Sequence, residues 1–260
     1  MHYMTFDIET VPDLESGRRL YGLESLDDEG AHAAMVALRE QKAGTDFMPL
    51  HLHRVVAISV ALRSGADFKV WSLGDSDADE AEIVRRFFDG IERFAPDLVT
   101  WNGSGFDLPV LHYRALRHGI DASRYWEVGE GEREWRFNNY LGRFHWRHID
   151  LMDVLAGYQA RGRAPLDEIA VMLGFPGKLG MSGDKVWSAF NAGEIERIRN
   201  YCETDVVNTW LVFLRFEHMR GHIDAAGLER ELALVRGALQ ESGGPHFEEY
   251  LAAWSEAGHG

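Results

Sequence analysis

Apolar positions along the chain predict strands first and long helices last. Residues 2–8 (H-Y-M-T-F-D-I) form an apolar run that predicts an opening strand. Residues 54–63 (R-V-V-A-I-S-V-A-L-R) are rich in β-branched side chains and predict a buried strand. Residues 67–73 alternate as a third strand, with Ser64 and Gly65 as the hairpin turn between the two. Residues 78–94 carry Ile83, Val84, Phe87, Phe88 and Ile91 at helical spacing behind the N-cap candidate Asp77. A short strand at 97–101 follows Pro96, and a helix at 108–117 stops at Gly119. Residues 149–155 and 166–173 read as helices, 175–186 as a Gly-rich loop, and 192–219 as a long amphipathic helix. Weaker helices at 225–239 and 246–254 follow. Two stretches fit neither period: 14–42, a polar surface insertion of weak helical character, and 120–147, irregular, aromatic and basic.

This order predicts an α/β arrangement of helices layered on a mixed sheet. It divides the chain into a main domain, 1–220, and a helical C-terminal tail, 221–260. A chain of 260 residues with 45% apolar and 27% charged residues can bury a core and reads as a soluble globular protein. No run approaches the ~20 apolar residues that span a bilayer, and the first residues lack a signal-peptide pattern. The expectation is a cytoplasmic chain with no membrane contact. One cysteine, Cys202, excludes an internal disulfide and a multi-cysteine zinc site.

The net charge of −15 argues against a protein that coats nucleic acid, but not against one that meets it in a local groove. Acid concentrates in 13–46 and beyond Gly221. Arginine concentrates between Arg114 and Arg147, interleaved with aromatics such as Tyr125, Trp135, Phe144 and Trp146, a pattern that suits stacking of single-stranded bases or a packed lid.

Candidate chemistry sits in three separated segments. Asp7 and Glu9 lie at i and i+2 on the opening strand. Asp107 closes the segment N-G-S-G-F-D. Tyr201 and Asp205 lie at i and i+4 on the long helix. Each pair shares one face of its element. Carboxylates that converge repel, and a fold tolerates this when a cation sits among them. Oxygen donors select hard ions, so Mg²⁺ or Mn²⁺ is expected over Zn²⁺.

These segments, Asp7–Ile8–Glu9–Thr10, N-G-S-G-F-D at 102–107 and Y-C-E-T-D at 201–205, resemble the three motifs of the DEDD exonucleases, in the branch with a tyrosine four residues before the last aspartate. The text between them is similar to the stand-alone predicted 3′→5′ exonucleases related to the proofreading domain of family B DNA polymerases. R-F-H-W-R-H-I-D-L-M-D-V-L (143–155) and K-L-G-M-S-G-D-K-V (178–186) add to the match, which covers about residues 1–219. The resemblance implies an RNase H-like sheet and phosphodiester hydrolysis by two divalent cations. It implies that Asp7 bridges both, that Glu9 and Asp205 complete the nucleophile-side ion, that Asp107 holds the other, and that Tyr201 orients the attacking water. The expected substrate is a single-stranded DNA 3′ end. RNA 3′-end trimming and an inert nucleic-acid-binding scaffold are the alternative readings.

Thr10, Asn102, Phe106 and Arg143 are the substrate-contact candidates. Each of the first three also has a plainer reading: Thr10 as a strand-end residue, Asn102 as a holder of the Asp107 loop, and Phe106 as core. Asp150 and Asp153 either bond near the site or cap their helix, and Lys178 and Lys185 either reach phosphate or are solvated. His51 and His53 read as ordinary polar residues at a strand start. Cys202, rotated about 100° from Tyr201 on the helix, reads as packing.

Overall fold

The computed structural model describes residues 2–257. Its elements run β1 (His2–Pro12), α1 (Leu14–Tyr21), α2 (Asp28–Ala43), β2 (His53–Ser64), β3 (Asp67–Ser72), α3 (Glu80–Phe94), β4 (Asp97–Thr100), α4 (Asp107–His118), α5 (Ser123–Trp126), β5 (His148–Asp150), α6 (Leu151–Leu155), α7 (Leu166–Met172), α8 (Val186–Asn191), α9 (Ile195–Met219), α10 (Ala225–Ser242) and α11 (Pro245–Ala257). The sheet order is β3-β2-β1-β4-β5. β1 and β2, like β2 and β3, pair antiparallel; β1 with β4 and β4 with β5 pair parallel. This mixed five-stranded sheet flanked by helices is an RNase H-like α/β fold.

β1 is the central strand, and both its faces are covered. Met4, Phe6 and Ile8 join a core with α3 and α4 residues such as Phe87 and Leu111. Tyr3 and Thr5, on the other face, lie against α9: the Tyr3 ring is 6.1 Å from that of Trp210, and Thr5 Oγ1 is 3.4 Å from the Val206 carbonyl. Cys202 meets Asp7 next in the series. Two strand residues rise about 6.6 Å and four helical residues about 6 Å, so the two periods stay in step with α9 antiparallel to β1. That match carries the start of α9 to the far end of β1.

The sequence pattern differs from the structure at several points. β1 runs on to Pro12, past the expected end at Ile8. The pairing with β2 steps from Glu9–Ala57 to Thr10–Val55, leaving Val56 as an extra residue. This bulge turns Val55 toward the α3 side with Ile58 and Val60, which parity alone would not give. The polar stretch 14–42 forms two helices separated by a left-handed Gly22 (φ 67°). The cap of α3 is Asp79, whose side chain accepts from Glu82 N, and not Asp77. Residues 148–150 form the edge strand β5 before α6, where the apolar pattern predicts helix alone; three residues are too few to show a period. The Gly-rich stretch ends in helix α8.

The segment after Gly221 packs on the α9 side. α10 and α11 bury Leu228, Val235, Leu239, Phe247, Tyr250 and Trp254. At about 1.5–3 kcal/mol for each large apolar side chain, before the cost of ordering the chain, this is a substantial part of that core. Tyr250 also donates to Asn208 Oδ1 of α9 at 2.6 Å. Residues 1 and 258–260, which the expected domain and tail include, lie outside the described residues.

Candidate active site

β4 stops at Thr100 while β1 continues to Pro12, so β1 has no strand partner on that side beyond Thr5. The backbone N–H of Ile8 projects into the gap and donates to Asp107 Oδ1 at 3.2 Å. Asp107, the first residue of α4, is thereby fastened between Asp7 and Glu9. Ligand atoms of Asp7, Glu9 and Cys202 lie within 4.8 Å of one another. From α9, the Cys202 thiol donates to the Asp7 carbonyl at 3.3 Å and lies 3.6 Å from Asp7 Oδ2.

Asp7 and Glu9 each feel the charges of both Asp107 and Asp205. Burial, then the charges of Asp107, Glu9 and Asp205, holds the Asp7 carboxyl well above the usual range. Burial and Asp205 do the same to Glu9. Asp107 is pushed up to about 7, chiefly by burial, and Asp205 to about 6 by burial against the opposing pull of Lys178. Burial, then the same carboxylates, raises the Tyr201 phenol far above its ordinary value. Asp205 is 7% exposed, and its Oδ1 has no hydrogen-bond partner among the described residues. A buried carboxylate oxygen without a donor is costly unless something outside the chain completes it.

The loop 101–106 that delivers Asp107 is held from beneath. The Asp150 carboxylate accepts from the backbone N–H groups of Asn102 (3.0 Å) and Ser104 (2.9 Å). Asn102 adopts a left-handed conformation (φ 68°) and its carbonyl accepts from Gly105 and Phe106. A Cβ at Gly103 would stand 2.5 Å from Thr100 Oγ1, so the turn tolerates no side chain there.

The structure brings together Asp7, Glu9, Asp107, Tyr201 and Asp205. The outer candidates are more dispersed. Thr10 borders the cluster, but its hydroxyl is already engaged 2.8 Å from His53 Nδ1. His53 is buried and also bonded to the Met48 carbonyl, so it is a holder of Thr10 and more than an ordinary strand-start residue. Phe106 packs its ring on those of His53 (5.1 Å) and Phe47 (5.7 Å). Asn102 holds the Asp107 loop through its backbone. Arg143 is exposed, its guanidinium over the Tyr158 ring at 4.6 Å. The aromatic stretch is divided: Tyr125, Trp135 and Tyr140 are buried together, whereas Trp126, Phe137, Phe144 and Trp146 are exposed.

Three contributors gain definite partners only in the structure. Asp150, read as either a bond near the site or a helix cap, is both, and its partner near the site is the loop of Asp107. Lys178, read as either reaching phosphate or solvated, has its Nζ 5.6 Å from the Tyr201 ring centroid, and its charge pulls the Glu9 and Asp205 carboxyls down. Cys202 reads as packing, and its thiol lies against the carbonyl and carboxylate of Asp7.

Among the described residues no helix is long and apolar enough to cross a membrane. A DNA polymerase epsilon catalytic chain from Saccharomyces cerevisiae is 25% identical over 150 residues, 54% of this chain and 6% of that protein. A DNA polymerase from Archaeoglobus fulgidus is 25% identical over 158 residues, 60% and 19% respectively. A DNA polymerase epsilon catalytic chain from Arabidopsis thaliana is 27% identical over 148 residues, 54% and 6%. The chain thus spans a small part of the length of these relatives. A family model described as "predicted 3′-5′ exonuclease related to the exonuclease domain of PolB" matches residues 45–254, beginning after Asp7 and Glu9 and running beyond Met219 through α10 into α11. With that span covering most of a chain whose sheet gathers the carboxylates at one strand end, the protein belongs to the family of predicted 3′→5′ exonucleases related to the exonuclease domain of PolB.

Proposed function

We propose that the chain is a cation-dependent 3′→5′ exonuclease that removes nucleotides from single-stranded DNA ends. The observation that carries this reading is the convergence of Asp7, Glu9, Asp107 and Asp205 with no arginine or lysine bonded to any of them among the described residues. The donor set fits divalent cations: hard oxygens, one of them buried without a partner. Asp7, Glu9, Asp107 and Asp205 would hold two such ions, Mg²⁺ or Mn²⁺, and when bound these activate water and neutralise the departing oxygen.

The remaining work falls to the chain itself. Tyr201 keeps its proton, because burial and the neighbouring carboxylates both oppose the phenolate. Its assigned work is to orient the attacking water by hydrogen bonding. Lys178 brings a positive charge beside Tyr201 where a phosphate would lie. Asp150 fixes the loop that carries Asp107, and Thr10, Asn102 and Phe106 border the 3′ end. DNA is favoured over RNA because the relatives are DNA polymerases. In this reading residues 1–220 are the exonuclease domain and residues 221–260 are its helical C-terminal tail, packed on α9.

The test uses 5′-labelled and 3′-labelled single strands of DNA and of RNA with Mg²⁺, Mn²⁺ or EDTA. The expected result is a ladder from the 3′ end of DNA, lost with EDTA and with Asp7→Ala. A ladder on RNA alone would replace the substrate, and no cleavage of either polymer would leave an inert scaffold. Tyr201→Phe should lower turnover while cation affinity, read by calorimetry, changes little.

A further inference from the structure

A second cleft lies beside the carboxylates, behind the first turn of α4. Asp107 faces Ile8, whereas Leu108, Pro109 and His112 of the same helix line a cavity of about 620 Å³. Ser104 and Asp150, which set the Asp107 loop, form its near edge. Arg143, Phe144 and Tyr158 form its far wall. The cleft therefore adjoins the loop that delivers Asp107.

Its lining has the chemistry that single-stranded bases use. Phe144 is 73% exposed and meets the Tyr158 ring edge-on at 5.2 Å. The guanidinium of the exposed Arg143 also lies over the Tyr158 ring. The His112 ring packs on Tyr125 and Trp126 at 4.7 and 4.9 Å, and its Nε2 is buried without a hydrogen-bond partner among the described residues. Tyr158 is bulky yet left-handed (φ 59°), a conformation costing about 1–3 kcal/mol that persists where the surroundings over-determine it. Here its N–H donates to the Asp153 carbonyl at 2.7 Å and its hydroxyl to the Arg143 carbonyl at 3.2 Å, which fixes the ring at the cleft wall.

We propose that this cleft holds one nucleobase of the single-stranded substrate, upstream of the scissile bond. The base stacks on Phe144 and Tyr158, His112 Nε2 meets its polar edge, and Arg143 pairs with the adjoining phosphate. The proposal rests on the exonuclease reading, since the carboxylates fix where the 3′ end lies. Stacking on aromatic side chains tolerates any base, so the cleft anchors the strand without reading its sequence.

The test walks a single abasic unit along a DNA strand, one position at a time from the 3′ end, and measures KM and kcat with Mn²⁺. At one position the abasic unit should raise KM about 5- to 100-fold and leave kcat nearly unchanged, the range expected for losing one stacked base. Phe144→Ala and Arg143→Ala, both at solvent-accessible positions, should raise KM on the intact strand and erase the added penalty at that position. Equal penalties in native and variant proteins, or none at any position, would overturn the proposal while leaving the exonuclease reading intact. If the native protein cuts no strand, that reading fails instead. The same walk is then read by fluorescence anisotropy, where position-independent binding refutes the cleft.

Discussion

Two buried acidic clusters flank the end of β1, and they are handled in opposite ways. In one, Arg114 donates to Asp13 at 2.6 Å and also pairs with Glu80, which in turn accepts from His118 and from the backbone of Val55. Arg114 is 2% exposed. Hydrogen bonds from Ser16 and Arg114 hold Asp13 below the usual carboxylate range in spite of its burial. In the other, Asp7, Glu9, Asp107 and Asp205 converge with no bonded guanidinium, and all four carboxyls are raised. The same fold supplies a buried arginine a few residues along the strand and leaves it out here. A cluster neutralised from within ties elements together. A cluster without an internal partner offers its oxygens to cations from without.

The largest expected effect comes from emptying the first cluster. Arg114→Ala would strand Asp13 and Glu80 without their partner and should cost about 3–5 kcal/mol of stability, read by urea unfolding. A cost below about 1 kcal/mol would erase the contrast between the clusters. In the second cluster the opposite holds: Asp107→Asn should raise the melting temperature in EDTA, by about 2–4 °C for each kcal/mol of repulsion relieved, while cation-dependent cleavage is lost.

The pH dependence separates the clusters next. Asp107 and Asp205 titrate near 7 and 6 in the folded chain, above their unfolded values near 3.9. Between about pH 4 and 7 the folded state holds more protons than the unfolded one, so stability in EDTA is greatest at the acid side of this window and falls as pH rises through it. Mg²⁺ or Mn²⁺ should flatten that slope, because a cation replaces the protons. Thermal melts from pH 5 to 8 check this, and a slope unchanged by cations would remove the case for a metal site. The smallest effect is expected at Asp150. Asp150→Ala frees two backbone N–H groups of the Asp107 loop, at about 1–3 kcal/mol, and should lower turnover more than it lowers stability in EDTA. Equal losses would make Asp150 a structural cap and nothing more.

The chemistry was legible because its residues come in short local patterns. Asp7 with Glu9, and Tyr201 with Asp205, share a face by the period of their own elements. The supports were not legible because they act across distance. Asp150 is 43 residues from Asp107, Cys202 reaches Asp7 across 195 residues, and no local period connects them. The extra residue at Val56 was equally hidden, since a bulge depends on how two strands register and not on either strand alone.

Sequence by itself determined the strand and helix types apart from β5, the order of the three motifs, and the hard-oxygen chemistry that they offer. Tertiary structure alone decided which carboxylates stay unneutralised. It set α9 antiparallel to β1 with matched periods, ended β4 early so that Ile8 N–H could hold Asp107, and gave the buried arginine to Asp13 and Glu80 instead. The physical reason is that charge balance is a property of neighbours in space. An acidic side chain carries the same letter whether an arginine or another carboxylate lies beside it.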